Sequence, residues 1–206
     1  MIVVVDYGVN NLASVVRALG ATGHEVTLSP DPEVVGRASR VVMPGVGHFK
    51  QAAENLGRSG LGDAVREVSA SGRPVLGICL GLQLFFARSE EAPDVPGLGL
   101  LAGEVVKFRT DLHVPHVGWA RVDPTPAGKR HAAAAALFEG EPPFFYHVHS
   151  YHPDAVPEAD VLGTADYGEV FPTLVGHGNV LGAQFHPEKS QKAGLALLDA
   201  FARWNP

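Results

Sequence analysis

The chain has 206 residues, a length that fits one domain with a full hydrophobic core and leaves little room for a second. Sixteen lysines and arginines against 22 acidic residues give a formal charge of −6, and the absence of a basic run argues against nucleic acid as a partner. No apolar run approaches the roughly 20 residues that cross a bilayer, and one cysteine without a secretory signal predicts a soluble protein of the reducing cytoplasm. We therefore treat residues 1–206 as a single domain with one active site.

The first half of the chain alternates strand and helix patterns. The β-branched run at residues 2–5 is followed by apolar residues at helical spacing from Leu12, with Asn10 or Asn11 as the N-cap. The alternation continues with strand-like runs at 40–43 and 75–79 and with helical patterns at 61–72 and from Leu80 onward. This order predicts an α/β fold whose central, mostly parallel sheet carries helices on both faces.

After about Gly103 the pattern changes to strand-like segments separated by Gly and Pro. These segments lie at 103–108, 144–149 and 180–185, and a helix at 191–204 closes the chain. The stretch 123–136 matches no strand pattern, so we expect a surface connection with room for one helical turn. The second half therefore predicts an antiparallel, strand-rich portion, joined to the first half by a loop at 92–99 and not by a domain linker.

The residues Gly77-Ile78-Cys79-Leu80-Gly81 carry the first catalytic pattern. Small residues flank a nucleophile where a buried strand meets a helix, which is the nucleophile-elbow arrangement with cysteine in place of serine. The glycines allow a sharp turn, so the sulfur stands clear of the sheet and the backbone N–H of Leu80 points to the same space as an oxyanion donor. The positive end of the helix dipole favours the thiolate. Taken alone, a buried structural cysteine explains the pattern equally well.

The candidate base lies in His186-Pro187-Glu188, between the last strand-like segment and the closing helix. Pro187 disfavours helix at His186, and residues two apart in extended backbone face the same side. Glu188 can therefore hold one imidazole nitrogen and free the other for the thiol. A turn that caps the closing helix is the alternative, so the functional interpretation depends on the pairing with Cys79.

Two further features border the expected site. In the segment Pro-Gly-Val-Gly-His-Phe at 44–49, two glycines let the backbone approach a ligand, and Val46 or Gly47 can supply a second oxyanion N–H. An ordinary turn is the alternative. Gln83 lies one helical turn after Cys79, within reach of a substrate, although a lone glutamine is usually solvated. Five histidines show no metal-ligand spacing, so we assign no metal and no cofactor: His113, His116, His147, His149 and His152.

With these residues in place, the sequence resembles the class I (triad) glutamine amidotransferases over nearly its whole length. Within that class it is most similar to the glutaminase subunits of imidazole glycerol phosphate synthases. The class is indicated by Gly-Ile-Cys-Leu-Gly-Leu-Gln at 77–83 and Gln-Phe-His-Pro-Glu-Lys-Ser at 184–190. The subunit family is indicated by five local matches in the same order, namely Asp6-Tyr7-Gly8 with Asn11, the 44–49 segment, Ser-Glu-Glu-Ala-Pro at 89–93, Pro-His-Val-Gly-Trp at 115–119 and His-Ser-Tyr at 149–151.

The resemblance implies roles for individual residues. Cys79 would form a γ-glutamyl thioester, His186 would act as general base and then acid, and Glu188 would orient His186. Glutamine would be bound by Gly47, Gln83, Ser150 and Tyr151. Asn11 and Trp119 would lie at a subunit interface, for which local turn capping and core packing are the alternatives.

The resemblance also implies a partner. Ammonia would pass through a channel to a (β/α)₈-barrel cyclase subunit in a heterodimer, where it converts a phosphoribulosyl intermediate into imidazole glycerol phosphate and an aminoimidazole carboxamide ribotide in histidine biosynthesis. Glutamine hydrolysis would be weak until the cyclase docks, with the oxyanion hole completed by movement near Val46 and Gly47.

Three departures from the family pattern, and two alternative functions, accompany this expectation. Val9-Asn10, Val117 and His147 stand where other residues are common, which puts details of the interface in doubt but not the triad. A glutaminase subunit for a pyridoxal phosphate or anthranilate system is one alternative, against which the 44–49 and 115–119 segments argue. A non-catalytic regulatory module is the other, and a replaced cysteine would be its signature.

Overall fold

A central sheet of eight strands organises the molecule in the computed structural model, which describes residues 1–206. Five neighbouring strands are parallel, and three at one edge are antiparallel. Across the sheet they are β2 (Val26–Ser29), β1 (Ile2–Val5), β3 (Arg40–Met43), β4 (Val75–Ile78), β12 (Val180–Ala183), β11 (Val170–His177), β10 (Val161–Asp166) and β7 (Asp123–Pro124). This arrangement confirms the predicted α/β fold with an antiparallel portion.

Six α-helices and two small antiparallel sheets surround the central sheet. The helices are α1 (Leu12–Ala21), α2 (Pro32–Gly36), α3 (Phe49–Ser59), α4 (Leu61–Ala70), α5 (Leu80–Gln83) and α6 (Gln191–Arg203). One small sheet pairs β5 (Glu104–Lys107) with β9 (Tyr151–Asp154), and the other pairs β6 (His116–Arg121) with β8 (Phe144–His149). No helix combines the length and the apolar character that a membrane crossing requires.

Alternate residues of the parallel strands supply two separate hydrophobic cores. Val3 and Val5 of β1 face α3 and α4, whereas Val4 faces the layer of α1 and α6. Both faces are buried, which is why these strands are continuous apolar runs in the sequence and do not alternate with polar residues. The two cores hold the parallel strands between helical layers, so the loops at their carboxyl ends start from fixed positions.

The sequence patterns located some elements to the residue and missed others. The predicted strands at 2–5, 40–43 and 144–149 are confirmed, and the closing helix ends one residue earlier than predicted. The prediction of a surface connection with one helical turn at 123–136 was right for the helical turn, which begins at Ala135, but wrong for two other parts of the segment. Asp123 and Pro124 form the edge strand of the main sheet, where proline is tolerated because one side of the strand is unpaired, and the alanines Ala133 and Ala134 are fully buried in the core under α6.

Buried histidines line the inner face of the β6–β8 sheet. The rings of His116 and His147 stack with centroids 5.0 Å apart, and His149 packs beside them. His147 donates from Nδ1 to the Phe145 carbonyl at 3.0 Å. Burial, helped by the neighbouring imidazoles, lowers the pKa of His147 to about 3 and holds the pKa of His149 well below its ordinary range. The folded chain therefore keeps these rings neutral.

Acidification should therefore destabilise the chain through these histidines. In the unfolded chain a histidine binds a proton below about pH 6.5, whereas folded His147 stays neutral down to about pH 3. The unfolded state binds more protons in this window, so the free energy of unfolding falls as pH decreases from about 6.5 toward 3. Each such histidine contributes at most about 1.4 kcal/mol per pH unit. Urea unfolding at several pH values above and below about 6.5 measures this slope.

A matched pair of variants assigns the slope to the cluster. His147→Leu should reduce the slope by the contribution of one histidine, and His113→Gln should leave it unchanged because His113 is solvent-exposed. Equal slopes in His147→Leu and the parent chain would contradict the assignment, whatever the change in absolute stability.

Candidate active site

The predicted site residues meet beyond the carboxyl ends of β3, β4 and β12. They surround a cavity of about 270 Å³. Its walls include seven of the predicted residues, which are Val46, Gly47, Cys79, Leu80, Gln83, Ser150 and Tyr151. His186 and Glu188 are buried behind this wall, while Asn11 and Trp119 lie outside it.

Cys79 occupies a sharp elbow between β4 and α5. Its backbone has φ 53° and ψ −109°, a conformation that residues with a side chain rarely adopt and that costs of order 1–3 kcal/mol. Sterics explain the flanking glycines. A Cβ at Gly81 would lie 1.8 Å from the Met43 carbonyl oxygen, and one at Gly77 would lie 2.7 Å from the backbone nitrogen of Leu82. The elbow prediction is therefore consistent with the geometry, although α5 is only one helical turn long.

His186 and Glu188 form a buried pair beside the cysteine. His186 Nδ1 lies 2.8 Å from Glu188 Oε1, and both side chains are shielded from solvent. Two hydrogen bonds fix the segment against β8, from His186 N–H to the Tyr146 carbonyl and from Tyr146 N–H to the Ser190 hydroxyl. Within the segment, the Ser190 hydroxyl donates to the His186 carbonyl. His186 is extended as predicted, but residues 187–189 form a 3₁₀ turn. A turn, and not an extended strand, thus brings the carboxylate to the ring.

The electrostatics of the pair match a base that receives a proton from sulfur. Burial alone lowers the pKa of His186, but the charge of the nearby Cys79 sulfur and the bond to Glu188 outweigh it and raise the pKa to about 10. Burial raises the pKa of Glu188, yet the bonds from His186 and Asn11 bring it below its ordinary value. His186 Nε2 forms no hydrogen bond of standard geometry. The ring therefore keeps its second nitrogen free to exchange a proton with Cys79.

Asn11 contacts the His186–Glu188 pair, a contact that the sequence did not indicate. Its side-chain amide donates to Glu188 Oε1 at 2.6 Å, so this oxygen is shared by His186 and Asn11. Asn11 occupies the N-cap position of α1 as predicted, but with φ 76° and without a side-chain hydrogen bond to the helix. The side chain holds the carboxylate and does not cap the helix.

The backbone donors expected at the oxyanion site are only partly available. The N–H groups of Val46 and Gly47 donate to no acceptor within the protein, and Gly47 has φ 142°. The N–H of Leu80, in contrast, donates to the Gly45 carbonyl at 3.3 Å. In this conformation the Leu80 donor is engaged, because the neighbouring loop supplies a competing carbonyl, and its place in an oxyanion site stays a prediction. The bond is long, and a small shift of that loop would release it.

Several contributors to the site were not predicted. Tyr7 is buried beneath the loop after β3, where it donates its hydroxyl to the Pro44 carbonyl, and burial together with the charge of Cys79 raises its pKa. Glu91 lines the cavity and accepts the N–H of Phe49 at the start of α3. The amide of Gln184 contacts the Cys79 sulfur. Residues of these types are common in any sequence, and only the folded chain shows that they lie together.

Trp119 lies on the outer face of the β6–β8 sheet and not in the core. Its side chain is 47% exposed, beside Val117 at 56% and Phe144 at 55%. Val148 of the same sheet lines the cavity. The exposed apolar surface of Val117, Trp119 and Phe144, which we call the β6–β8 face, is thus carried by a two-stranded sheet, and strand β8 of this sheet reaches the cavity wall.

Comparisons with known proteins agree on one family. The family model described as glutamine amidotransferase class-I matches residues 3–203. Three relatives bear the name imidazole glycerol phosphate synthase subunit HisH. The one from Symbiobacterium thermophilum is 48% identical over 98% of this chain and 93% of its own. The relative from Moorella thermoacetica is 46% identical over 97% of this chain and 93% of its own. The relative from Bacillus subtilis is 42% identical over 98% of this chain and 96% of its own.

Solved structures with low sequence identity share the fold. One described as a glutamine amidotransferase has a TM-score of 0.75 at 21% identity and covers 97% of this chain and 98% of its own. Another, described as the structure of PurLQS from Thermotoga maritima, has a TM-score of 0.75 at 18% identity and covers 98% of this chain and 96% of its own. At these identities the likeness concerns the fold alone.

The tight approach of the elbow to β3 leads to a stability prediction. Gly81→Ala should destabilise the chain by about 1–3 kcal/mol or more, because the added methyl would overlap the Met43 carbonyl. Gly57→Ala is the matched control, since a Cβ there meets nothing within 4 Å and alanine favours the helix by about 0.5–1 kcal/mol. Urea unfolding of both variants measures the difference. Similar stabilities would mean that the elbow does not require glycine at this position.

Proposed function

The chain belongs to the class I glutamine amidotransferases, among the HisH subunits of imidazole glycerol phosphate synthase, and from this membership we propose that Cys79, His186 and Glu188 hydrolyse the side-chain amide of glutamine. The observation that carries the assignment of residues is the buried His186–Glu188 pair beside a cysteine on a strained elbow that opens into a cavity. A structural cysteine would need none of these features.

The first half of the reaction forms a thioester. Cys79 transfers its proton to His186 Nε2, and the sulfur attacks the amide carbon of glutamine. The resulting tetrahedral oxyanion collapses when His186 returns the proton to the nitrogen, which leaves as ammonia. Glu188, held by Asn11, keeps the imidazole in the tautomer that accepts a proton at Nε2 and stabilises the cation that forms.

The second half regenerates the enzyme. His186 takes a proton from water, the oxygen attacks the thioester carbon, and the proton returns to the sulfur as glutamate leaves. In both halves the oxyanion needs backbone donors, for which we propose Val46 or Gly47 together with Leu80. Leu80 can serve only after its N–H leaves the Gly45 carbonyl, so we propose that the loop after β3 moves during activation.

The cavity provides the groups that a small amino acid requires. Gln83 donates its side-chain amide to the Tyr151 carbonyl and to Gln184, which leaves its own oxygen free to accept from a bound glutamine. Gly47 and Ser150 border the same space, and Glu91 adds a carboxylate at the rim. We propose that these residues bind glutamine and place its side-chain amide against Cys79.

The β6–β8 face is the surface that we propose for the cyclase subunit, in a heterodimer with a (β/α)₈ barrel. It exposes large apolar side chains, and a strand of the same sheet reaches the cavity. A partner there would exclude water from the exit of the site, which matters because ammonia released into water is protonated and ceases to be a nucleophile. The delivered ammonia would serve the synthesis of imidazole glycerol phosphate in histidine biosynthesis. A reducing cytoplasm suits a free catalytic cysteine.

Replacing the nucleophile should distinguish synthesis that uses glutamine as the nitrogen source from synthesis that uses added ammonium. In the complex with the cyclase subunit, Cys79→Ala should abolish synthesis from glutamine but leave synthesis from added ammonium salts unchanged, because only the first route needs the thioester. Product formation is measured with each nitrogen source. Glutamine-dependent synthesis at the parent rate would remove Cys79 as nucleophile, and loss of both activities would indicate a docking defect.

Trimming the proposed docking surface should weaken coupling to the partner. Trp119→Ala removes a large exposed aromatic, so titration with the cyclase subunit should require at least about tenfold more partner to stimulate ammonia release from glutamine. Leu28→Ala is the matched control, since Leu28 is an exposed apolar residue of edge strand β2 on the opposite side of the main sheet. An unchanged titration for Trp119→Ala would remove the β6–β8 face from the interface.

A further inference from the structure

Two side-chain amides connect the cavity wall to the catalytic sulfur. Gln83 donates from Nε2 to the Tyr151 carbonyl at 3.1 Å and to Gln184 Oε1 at 3.2 Å. Gln184 in turn donates from Nε2 to the Cys79 sulfur at 3.6 Å. Gln184 follows β12 directly and is completely buried. We call this series the amide relay; it runs from Tyr151 through Gln83 and Gln184 to Cys79.

The chemistry of the first acceptor fixes the direction of the relay. A backbone carbonyl can only accept a hydrogen bond, so Gln83 must turn its NH₂ group toward Tyr151. The same NH₂ group reaches Gln184, which must therefore present its oxygen to Gln83. The NH₂ group of Gln184 is left facing the sulfur. Neither amide can flip without placing two donors or two acceptors against each other.

We propose that Gln184 is a catalytic residue that donates a hydrogen bond to the Cys79 sulfur and stabilises its thiolate. Hydrogen bonds strengthen when the acceptor is charged, so this bond favours the thiolate over the thiol. It also occupies an acceptor direction on the sulfur, which directs the remaining S–H of the thiol toward His186. The inference rests on the proposed function of Cys79 and adds a residue to its site.

The other groups around the sulfur do not supply this donor. His186 is the proton acceptor itself, and Glu188 acts on the sulfur only through His186. Tyr7, which follows β1, feels the charge of Cys79, but its hydroxyl is committed to the Pro44 carbonyl. Gln184 is therefore the neutral donor that remains bonded to the sulfur while His186 changes its protonation state.

The alkylation of Cys79 by iodoacetamide tests the proposal directly. Cys79 is the single cysteine of the chain, so the alkylation rate at each pH reports on this thiolate alone. Gln184→Leu should move the midpoint of the rate against pH upward by about one pH unit. Gln184→Met keeps the length of the side chain, removes the donor without adding a charge, and should move the midpoint upward by a similar amount. Gln51→Leu, at an exposed glutamine of α3, is the matched control and should leave it in place.

The outcomes separate this proposal from the proposed function. An upward shift of the midpoint in either folded Gln184 variant supports the hydrogen bond to the thiolate. This holds even if the chain releases no ammonia from glutamine in the presence of the cyclase. Such a failure to release ammonia would overturn the glutaminase assignment and not the role of Gln184. Midpoints equal to that of the parent in every Gln184 variant that folds overturn the role of Gln184, even if glutaminase activity is normal. If Gln184→Leu fails to fold, Gln184→Met decides the question.

Discussion

The close approach between the start of α5 and the end of β3 is the constraint on which the site depends. The backbone of Gly81 lies so near the Met43 carbonyl that no side chain fits, and this contact forces the chain to turn sharply at Cys79. The positive φ of Cys79 is the strain that results. Because β3 and β4 are buried between two hydrophobic cores, the strain cannot relax by moving either strand. The sulfur is therefore presented at a fixed point above the sheet edge.

The buried pair of His186 and Glu188 places charge where stability alone would not favour it. Glu188 and His186 are removed from water, and Glu188 Oε2 has no partner at all. A buried ion pair of this kind usually costs as much desolvation energy as its attraction returns. What the arrangement provides is an imidazole whose charged form is supported on one side by a carboxylate and on the other by the sulfur. Asn11 adds a donor that keeps the carboxylate in place while the ring gains and loses its proton.

The parts of the molecule that follow from local chemistry were predictable, and the parts that depend on contacts distant in sequence were not. Gly77, Cys79 and Gly81 lie within five residues of the chain, so the steric requirement for glycine on either side of the cysteine can be recognised as a sequence motif. The bond between Asn11 and Glu188 joins residues 177 positions apart, and the amide relay likewise has no local signature. The buried alanines at 133–134 misled the sequence interpretation because side chains so small give no periodic signal.

Rigidity and movement are divided between neighbouring segments of the site. The elbow, the amide relay and the His186–Glu188 pair are tied to buried strands, but the loop after β3 combines glycines with a long bond from Leu80 N–H to the Gly45 carbonyl. That bond engages the donor that we propose for the oxyanion, and under this proposal it competes directly with stabilisation of the transition state. Releasing it costs only one weak hydrogen bond, about 0.5–1.5 kcal/mol. We propose that docking of the partner supplies this energy, so that a site with a fixed nucleophile and a displaceable carbonyl stays nearly inactive until ammonia has a destination.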